Sequence, residues 1–351
     1  MITIITTFKN RELERVNKHL ESLTKQINKN FKIVFIDYGS DIPLNISNNN
    51  QLQYFYLEVK NQPFNKSKAI NYVIKNIVDT KFIFIADVDM IFAPNFIDKC
   101  YELSLEYQAF YFQVAYLKPK ISDCKNIFNP INFSNLSNES ATGMMFFKTK
   151  DIVRLGGYDE FMHFYGAEDT DVFLRLKKIG INAYFYNENN VLMAHQWHKK
   201  FIESYTKKIS QHLQLSEVWR LNQIKKNNNR DCDIINVNGD NWGNIHSNDH
   251  LKVNFVEVFT YTEYIDFWLF YKIHNLNKGQ EIALVFREPI EDSFLKKYFK
   301  KILNISTKRF YTLKQVNDLL LLQIISHLHN NPYSIKLNKT CDQIVFRMQK
   351  I

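Results

Sequence analysis

Asp87 and Asp89 close the run KFIFIADVDMIFA, a hydrophobic stretch that ends in two carboxylates one residue apart. Side chains two apart on extended backbone point to the same side, so the pair faces one way. Two oxygen ligands facing one way suit a hard divalent cation whose shell is completed by phosphate oxygens. A second acidic group follows at Glu168, Asp169 and Asp171, behind Gly166-Ala167. His195 and His198 then close a late strand-like segment, adding imidazoles to a chain that already holds two acidic edges. A bare Asp-x-Asp is also an ordinary acidic strand-end turn, and acids at a helix start are favoured by the helix dipole alone. Their surroundings must decide.

The elements that would position these residues alternate. Ile2 to Thr7 reads as an opening strand, Glu12 to Asn28 as a helix, and Phe31 to Ile36 as a second strand running into Asp37-Tyr38-Gly39-Ser40. Leu52 to Leu57 is a third strand. Asn65 or Ser67 then caps a helix that buries Ala69, Ile70, Val73, Ile74 and Ile77. Phe82 to Ala86 is apolar throughout, as expected of a strand buried on both faces of a parallel sheet. Its C-terminal edge, where such sheets bind ligands, carries Asp87 and Asp89. This alternation predicts an α/β fold with a doubly wound, mostly parallel sheet. Pro94 to Glu106 reads as a helix, Ala109 to Leu117 as one strand, and Lys118 to Ser140 as a polar loop over the site. Met144 to Lys148 reads as a strand, Lys150 to Leu155 as a short helix, and Ile181 to Tyr186 and Val191 to Ala194 as strands. From Glu168 onward, Val172, Phe173, Leu176 and Ile179 follow helical spacing, which places the acids in a first turn.

Composition narrows the class. The chain has 351 residues, 45% hydrophobic and 23% charged, with 29 Phe and 19 Tyr, which excludes disorder and leaves room for two domains. Four cysteines without close pairs fit neither a disulfide framework nor a zinc cluster. No apolar run is long enough to span a membrane, and Met1 leads straight into Ile2 without a basic leader, so the expected location is cytoplasmic or peripheral to the membrane's inner face. The charge of +9 is compatible with nucleic acid, an anionic membrane or a phosphate-bearing substrate. Lysines form only modest clusters, such as Lys296 to Lys301, which read as solvated helix faces or as membrane contacts.

Taken in order, ITTFKNR, FIDYGS, FNKSKAIN, ADVDMIF and GGYDEFMHFYGAEDTDVFLRLKKIG resemble the motifs of glycosyltransferases of the GT-A fold. The last resembles the Gly-Gly-Phe-Asp-Glu and Gly-x-Glu-Asp signature shared by chondroitin-polymerase-type family 2 enzymes and β-1,4-galactosyltransferases. The match covers Met1 to His198. It departs at Tyr38, where a second acid is common, at Ala167 in place of a glycine, and at Phe164-Tyr165, where a tryptophan is often found. The resemblance implies that Thr6 or Thr7 with Asp37, Lys68, Asn71 and Asp87 binds a UDP-sugar donor. It implies further that Asp89 and His195 hold Mn²⁺, with Mg²⁺ as the alternative and His198 as the rival ligand. Asp169 would be the general base, and Glu168 and Tyr165 would meet the acceptor. An inverting transfer of a hexosyl or N-acetylhexosaminyl group to a glycan or lipid-linked acceptor follows, in the synthesis of a capsular or other surface polysaccharide.

The expected division is a catalytic domain at residues 1–215 and a smaller mixed α/β or helical module at 216–351. Across this boundary Phe201 to Lys226 reads as one or two helices, after which the run NNNRDCD breaks the pattern. Strands follow at Val253 to Phe259 and Glu281 to Phe286, with helices at Tyr261 to His274, after Pro289, and at Leu313 to His329. Two other classes share these features: a nucleotidyltransferase or metal-dependent nuclease, and a catalytically silent carbohydrate-binding or scaffold subunit. No concentrated basic stripe accompanies the acids, which argues against nucleic acid. Apart from Tyr38, no acidic motif position is lost, which argues against a silent subunit.

Overall fold

The computed structural model describes residues 1–119, 121, 127–164, 166–188, 190–199, 216–232, 234–251, 254–290, 302–303 and 308–351. They form two compact units. The first draws on Met1–Leu57, the described part of Phe64–Ser204, and Ser216–Ile245; the second on Glu58–Pro63 and the described part of His246–Ile351.

The first unit is built on β1 (Ile2–Phe8), β2 (Phe31–Asp37), β3 (Leu52–Tyr56) and β4 (Phe82–Asp87), with α1 (Leu13–Thr24) and α2 (Lys66–Asn76) as crossovers. β1 pairs in parallel with both β2 and β4, and β2 with β3. All seven residues of β1 are buried, which explains why the strand shows no polar alternation. β5 (Met90–Phe92) and α3 (Phe96–Ser104) follow, then β6 (Ala109–Phe112), β7 (Val114–Leu117), β8 (Phe133–Leu136), β9 (Met145–Lys148), α4 (Thr149–Arg154), α5 (Glu168–Lys178), β10 (Tyr184–Tyr186), β11 (Met193–His195) and α6 (Ser216–Asp231). The large sheet runs β10-β6-β9-β4-β1-β2-β3, and a second sheet runs β5-β11-β7-β8. β9 is antiparallel to both its neighbours, so the sheet is mostly, not wholly, parallel.

The phenylalanine excess goes into this core. Phe110 stacks on Phe146 at 4.2 Å, and Phe84 meets Phe96 edge-on at 5.0 Å. Burying each such ring contributes about 1.5–3 kcal/mol.

Three expectations need correcting. The single strand expected over Ala109 to Leu117 is two strands in different sheets, joined at Gln113, whose backbone amide still bonds the Tyr186 carbonyl of β10 while its side chain donates to the Ser137 carbonyl. The Lys118 to Ser140 loop contains β8 and a short 3₁₀ turn at Pro130–Asn132, with 120 and 122–126 outside the described residues. The helix expected to break at NNNRDCD continues through it as α6 to Asp231. Its asparagines are not a breaker there. Asn229 is 3% exposed, and its amide donates to Asp159 at 2.7 Å and Asp171 at 2.8 Å. These bonds belong to Ser216–Ile245, which is part of the first compact unit. Most of the earlier part of Phe201 to Lys226 lies outside the described residues.

The second unit carries β12 (Val256–Phe259), α7 (Thr262–Asp266, running on as a wider turn over Phe267–Lys272), β13 (Glu281–Arg287), α8 (Leu313–Gln323), β14 (Tyr333–Leu337) and β15 (Ile344–Gln349). Its sheet runs β12-β13-β15-β14, a mixed α/β module as expected. The helix expected after Pro289 falls largely outside the described residues. No helix among the described residues is long and apolar enough to cross a membrane.

Candidate active site

β4 ends at Asp87, and the chain turns through Val88-Asp89 into β5. That turn is pinned from both sides. Buried His19 on α1 bonds the Met90 carbonyl through Nδ1 at 2.8 Å and Thr6 Oγ1 through Nε2 at 3.0 Å. Burial brings its pKa down to about 4, so the ring is neutral and acts as a strut. On the other side β11 runs antiparallel to β5, with His195 opposite Met90, and the Gln196 amide donates to the Asp89 carbonyl at 2.8 Å.

This pairing brings two imidazoles to one carboxylate. His198 Nε2 lies 2.9 Å from Asp89 Oδ2 and His195 Nε2 3.6 Å from the same oxygen. One donor atom from each of the three lies within 4.8 Å of the others. Burial opposes charge on Asp89, but the hydrogen bond from His198 and the nearby His195 and Arg11 outweigh it and hold the carboxyl well below its usual range. The same bond raises the His198 pKa. Asp89 Oδ1 is buried with no hydrogen-bond partner, an expensive arrangement unless another group takes it up. One carboxylate and two imidazoles around an orphaned oxygen fit a borderline divalent cation such as Mn²⁺ better than Mg²⁺, which prefers oxygen alone. The structure thus joins His198 to the expected pair of Asp89 and His195.

The second half of the site is the start of α5. Ala167 caps it in the left-handed region, φ 81°. Thr142 Oγ1 donates to Asp169 Oδ2 at 3.3 Å, and a Cβ at Gly143 would stand 3.5 Å from that oxygen. Glu168 lies deeper. Burial and the charge of Asp169 push its carboxyl up to about 7, against the pull of Lys66.

Lys66, the first residue of α2, joins the two halves. Its Nζ is 2.7 Å from Asp87 Oδ1 and 3.8 Å from Glu168 Oε1. Burial works against its charge, but Asp87, Glu168 and Asp169 hold it protonated, above the ordinary lysine range. Lys66, not the expected Lys68, holds this position. Residues two apart on a helix lie about 200° apart, so the two lysines cannot face the same way.

The expected donor residues separate into two groups. Thr7 and Asp87 stand opposite each other in the β1–β4 ladder, at the sheet's C-terminal edge. Thr6 does not join them, since it is 0% exposed and its hydroxyl is bonded to His19. Asp37 is buried too, its oxygens accepting from the Ser40 amide at 2.8 Å and the Tyr54 hydroxyl at 3.1 Å. It holds the turn. Asn71 spends both amide hydrogens, on the Tyr158 carbonyl and on Glu160, and accepts from the Tyr158 amide. A Cβ on Gly157 would come 2.1 Å from Asn71 Oδ1, so this contact requires the glycine, which also sits at φ 74°. Lys68 is buried, its charge disfavoured by burial and supported by Glu160. Asn71, expected at the donor, thus ties α2 to the Gly156–Glu160 turn, and Lys68 has the Glu160 charge nearby. Tyr165 lies outside the described residues.

This acidic, imidazole-bearing edge of a mostly parallel sheet, and the helix start with its two carboxylates, fall within two family matches. Residues 3–150 match glycosyl transferase family 2, and residues 123–199 match the N-terminal domain of galactosyltransferase. The chain carries a glycosyl transferase family 2 domain that runs on into a galactosyltransferase domain. Among solved structures it is similar to residues 1–349 of TarS from S. aureus, at 16% identity over 56% of this chain and 60% of that one, TM-score 0.40. It is similar also to GalNAc-T7 crystallised with UDP, GalNAc and Mn²⁺, at 12% identity over 64% and 48%, TM-score 0.47. The catalytic domain of Drosophila β1,4-galactosyltransferase 7 in complex with xylobiose matches at 15% identity over 60% and 75%, TM-score 0.37. The chain thus spans less than two thirds of the TarS and GalNAc-T7 chains.

Proposed function

We propose that the protein is a metal-dependent, inverting glycosyltransferase that moves a hexosyl or N-acetylhexosaminyl group from a UDP-sugar to a hydroxyl of a glycan or lipid-linked acceptor. The observation that carries this reading is the ion pair of Lys66 with Asp87, extended to Glu168, which ties the Asp89–His195–His198 edge to the start of α5. Asp89, His195 and His198 would hold Mn²⁺, which neutralises the charge developing on a departing diphosphate. Thr7 and Asp87 lie where a donor would meet the sheet edge. Asp169, oriented by Thr142, takes the proton of the attacking hydroxyl, and Glu168 steers the acceptor. One carboxylate placed as base, with no second one assigned as nucleophile, favours inversion. The product would belong to a surface polysaccharide, made at the cytoplasmic face of the membrane, with residues 246–351 as an accessory module.

A screen of UDP-sugars, with released UDP detected by mass, tests the reading. UDP release that requires Mn²⁺, stops with chelator and is lost in Asp89→Ala is expected. Release indifferent to metal and to Asp89→Ala contradicts it.

A further inference from the structure

Phe164, Gly166 and Ala167 all adopt positive φ, at 64°, 88° and 81°, immediately before Glu168 and Asp169. Two of the three are not glycine, so the segment is strained and must be held from outside. α6 holds it. Asn222, fully buried, donates through Nδ2 to the His163 carbonyl at 2.9 Å and to the Gly166 carbonyl at 3.3 Å. Three residues earlier, and so on the same helix face, Trp219 lays its indole edge on Gly166. A Cβ added at Gly166 would come within 3.1 Å of the indole Nε1 and 3.3 Å of Cδ1.

Holding the strained segment does not require an indole, because Asn222 already bonds both carbonyls. Nor is Trp219 a core residue, since 45% of it is exposed while its neighbour Val218 is fully buried. The ring is a large apolar plate, 45% exposed and anchored along one edge against Gly166, which lies three residues before the carboxylate assigned as base. The C–H face of a pyranose stacks on such a plate while its hydroxyls stay free to bond elsewhere. We propose that Trp219 is the platform on which the acceptor sugar rests, a specificity-determining residue that orients the attacking hydroxyl toward Asp169. The inference rests on the glycosyltransferase reading of this site and adds to it the acceptor's chemistry: a hexose with a continuous apolar face.

The test compares wild type, Trp219→Ala and Trp219→Phe in the full chain. It uses p-nitrophenyl β-galactoside and p-nitrophenyl N-acetyl-β-glucosaminide as acceptor probes, with UDP–Mn²⁺ affinity measured by calorimetry alongside. Trp219→Ala should raise the acceptor KM about tenfold with UDP affinity within about twofold of wild type, and Trp219→Phe, which keeps a flat ring, should recover most of the loss. An unchanged acceptor KM in Trp219→Ala overturns the inference. Loss of UDP affinity together with acceptor use also overturns it, making Trp219 a prop for the loop. Wild type that neither binds UDP with Mn²⁺ nor uses either probe removes the functional reading itself, and the platform with it.

Discussion

Lys66 turns two acidic clusters into one site, and its reach has a consequence for Glu168. A lone ammonium shared between Asp87 and Glu168 favours the nearer partner, at 2.7 Å against 3.8 Å. Glu168 is left with burial and a like-charged neighbour, which push its carboxyl up to about 7 from the ordinary value of about 4.5. For an acid raised in this way the unfolded chain ionises first. Between pH 4.5 and about 7 the folded state is therefore progressively penalised, and above 7 the penalty is complete. Glu168→Gln removes it. The variant should gain stability over wild type by on the order of 1–3 kcal/mol at pH 8, and by little at pH 4.5. Denaturant midpoints at the two pH values would show this, and an equal difference at both would contradict it. At this scale the sequence was partly legible. Asp87, Asp89, Glu168, Asp169 and His195 could be picked out because acids and imidazoles at element ends have few structural alternatives. Lys66, His19 and Asn229 could not, since each acts through a partner far away in the chain. The internal partners of Thr6 and Asn71 were not legible, because a buried polar side chain looks the same in sequence whether it meets a ligand or a neighbouring turn.

Among the elements, α6 departs most from expectation. A helix ending in Asn227-Asn228-Asn229-Arg230 reads as a boundary because asparagine is a poor helix former. Tertiary pairing overrides the propensity. Asn229 supplies hydrogens to Asp159 and Asp171, Arg175 bonds Asp171 and the Leu155 and Gly157 carbonyls, and the three acidic and basic side chains are almost wholly buried. The Gly156–Glu160 turn, α5 and α6 are thereby one scaffold behind Glu168 and Asp169. Asn229→Ala would leave two buried carboxylate oxygens short of a donor and should cost about 1–3 kcal/mol. Asn227→Ala, at an exposed position of the same run, should stay within about 0.5 kcal/mol of wild type. Thermal unfolding of the two variants decides it. Equal midpoints would detach α6 from the catalytic unit and restore a boundary near residue 216. By contrast β1, β2 and β4 were legible almost to the residue, since unbroken β-branched and aromatic runs between helical patterns admit few other readings.

Across the whole chain, the order of motifs was more informative than any motif alone. Five short signals in family order implied a GT-A fold, and the domain matches at 3–150 and 123–199 cover the same stretch. Geometry adds that the strand-end acids and the helix-start acids meet through Lys66, which spacing along the chain cannot show. In the proposed reaction these are the donor half and the base half of a single centre. Asp169→Asn separates them, keeping the shape of the side chain while removing its basicity. Measured on one preparation, sugar transfer should fall by about 10²–10⁴-fold while calorimetric affinity for UDP with Mn²⁺ stays at the wild-type value. Full transfer by Asp169→Asn, or loss of UDP–Mn²⁺ binding in step with transfer, would contradict the claim.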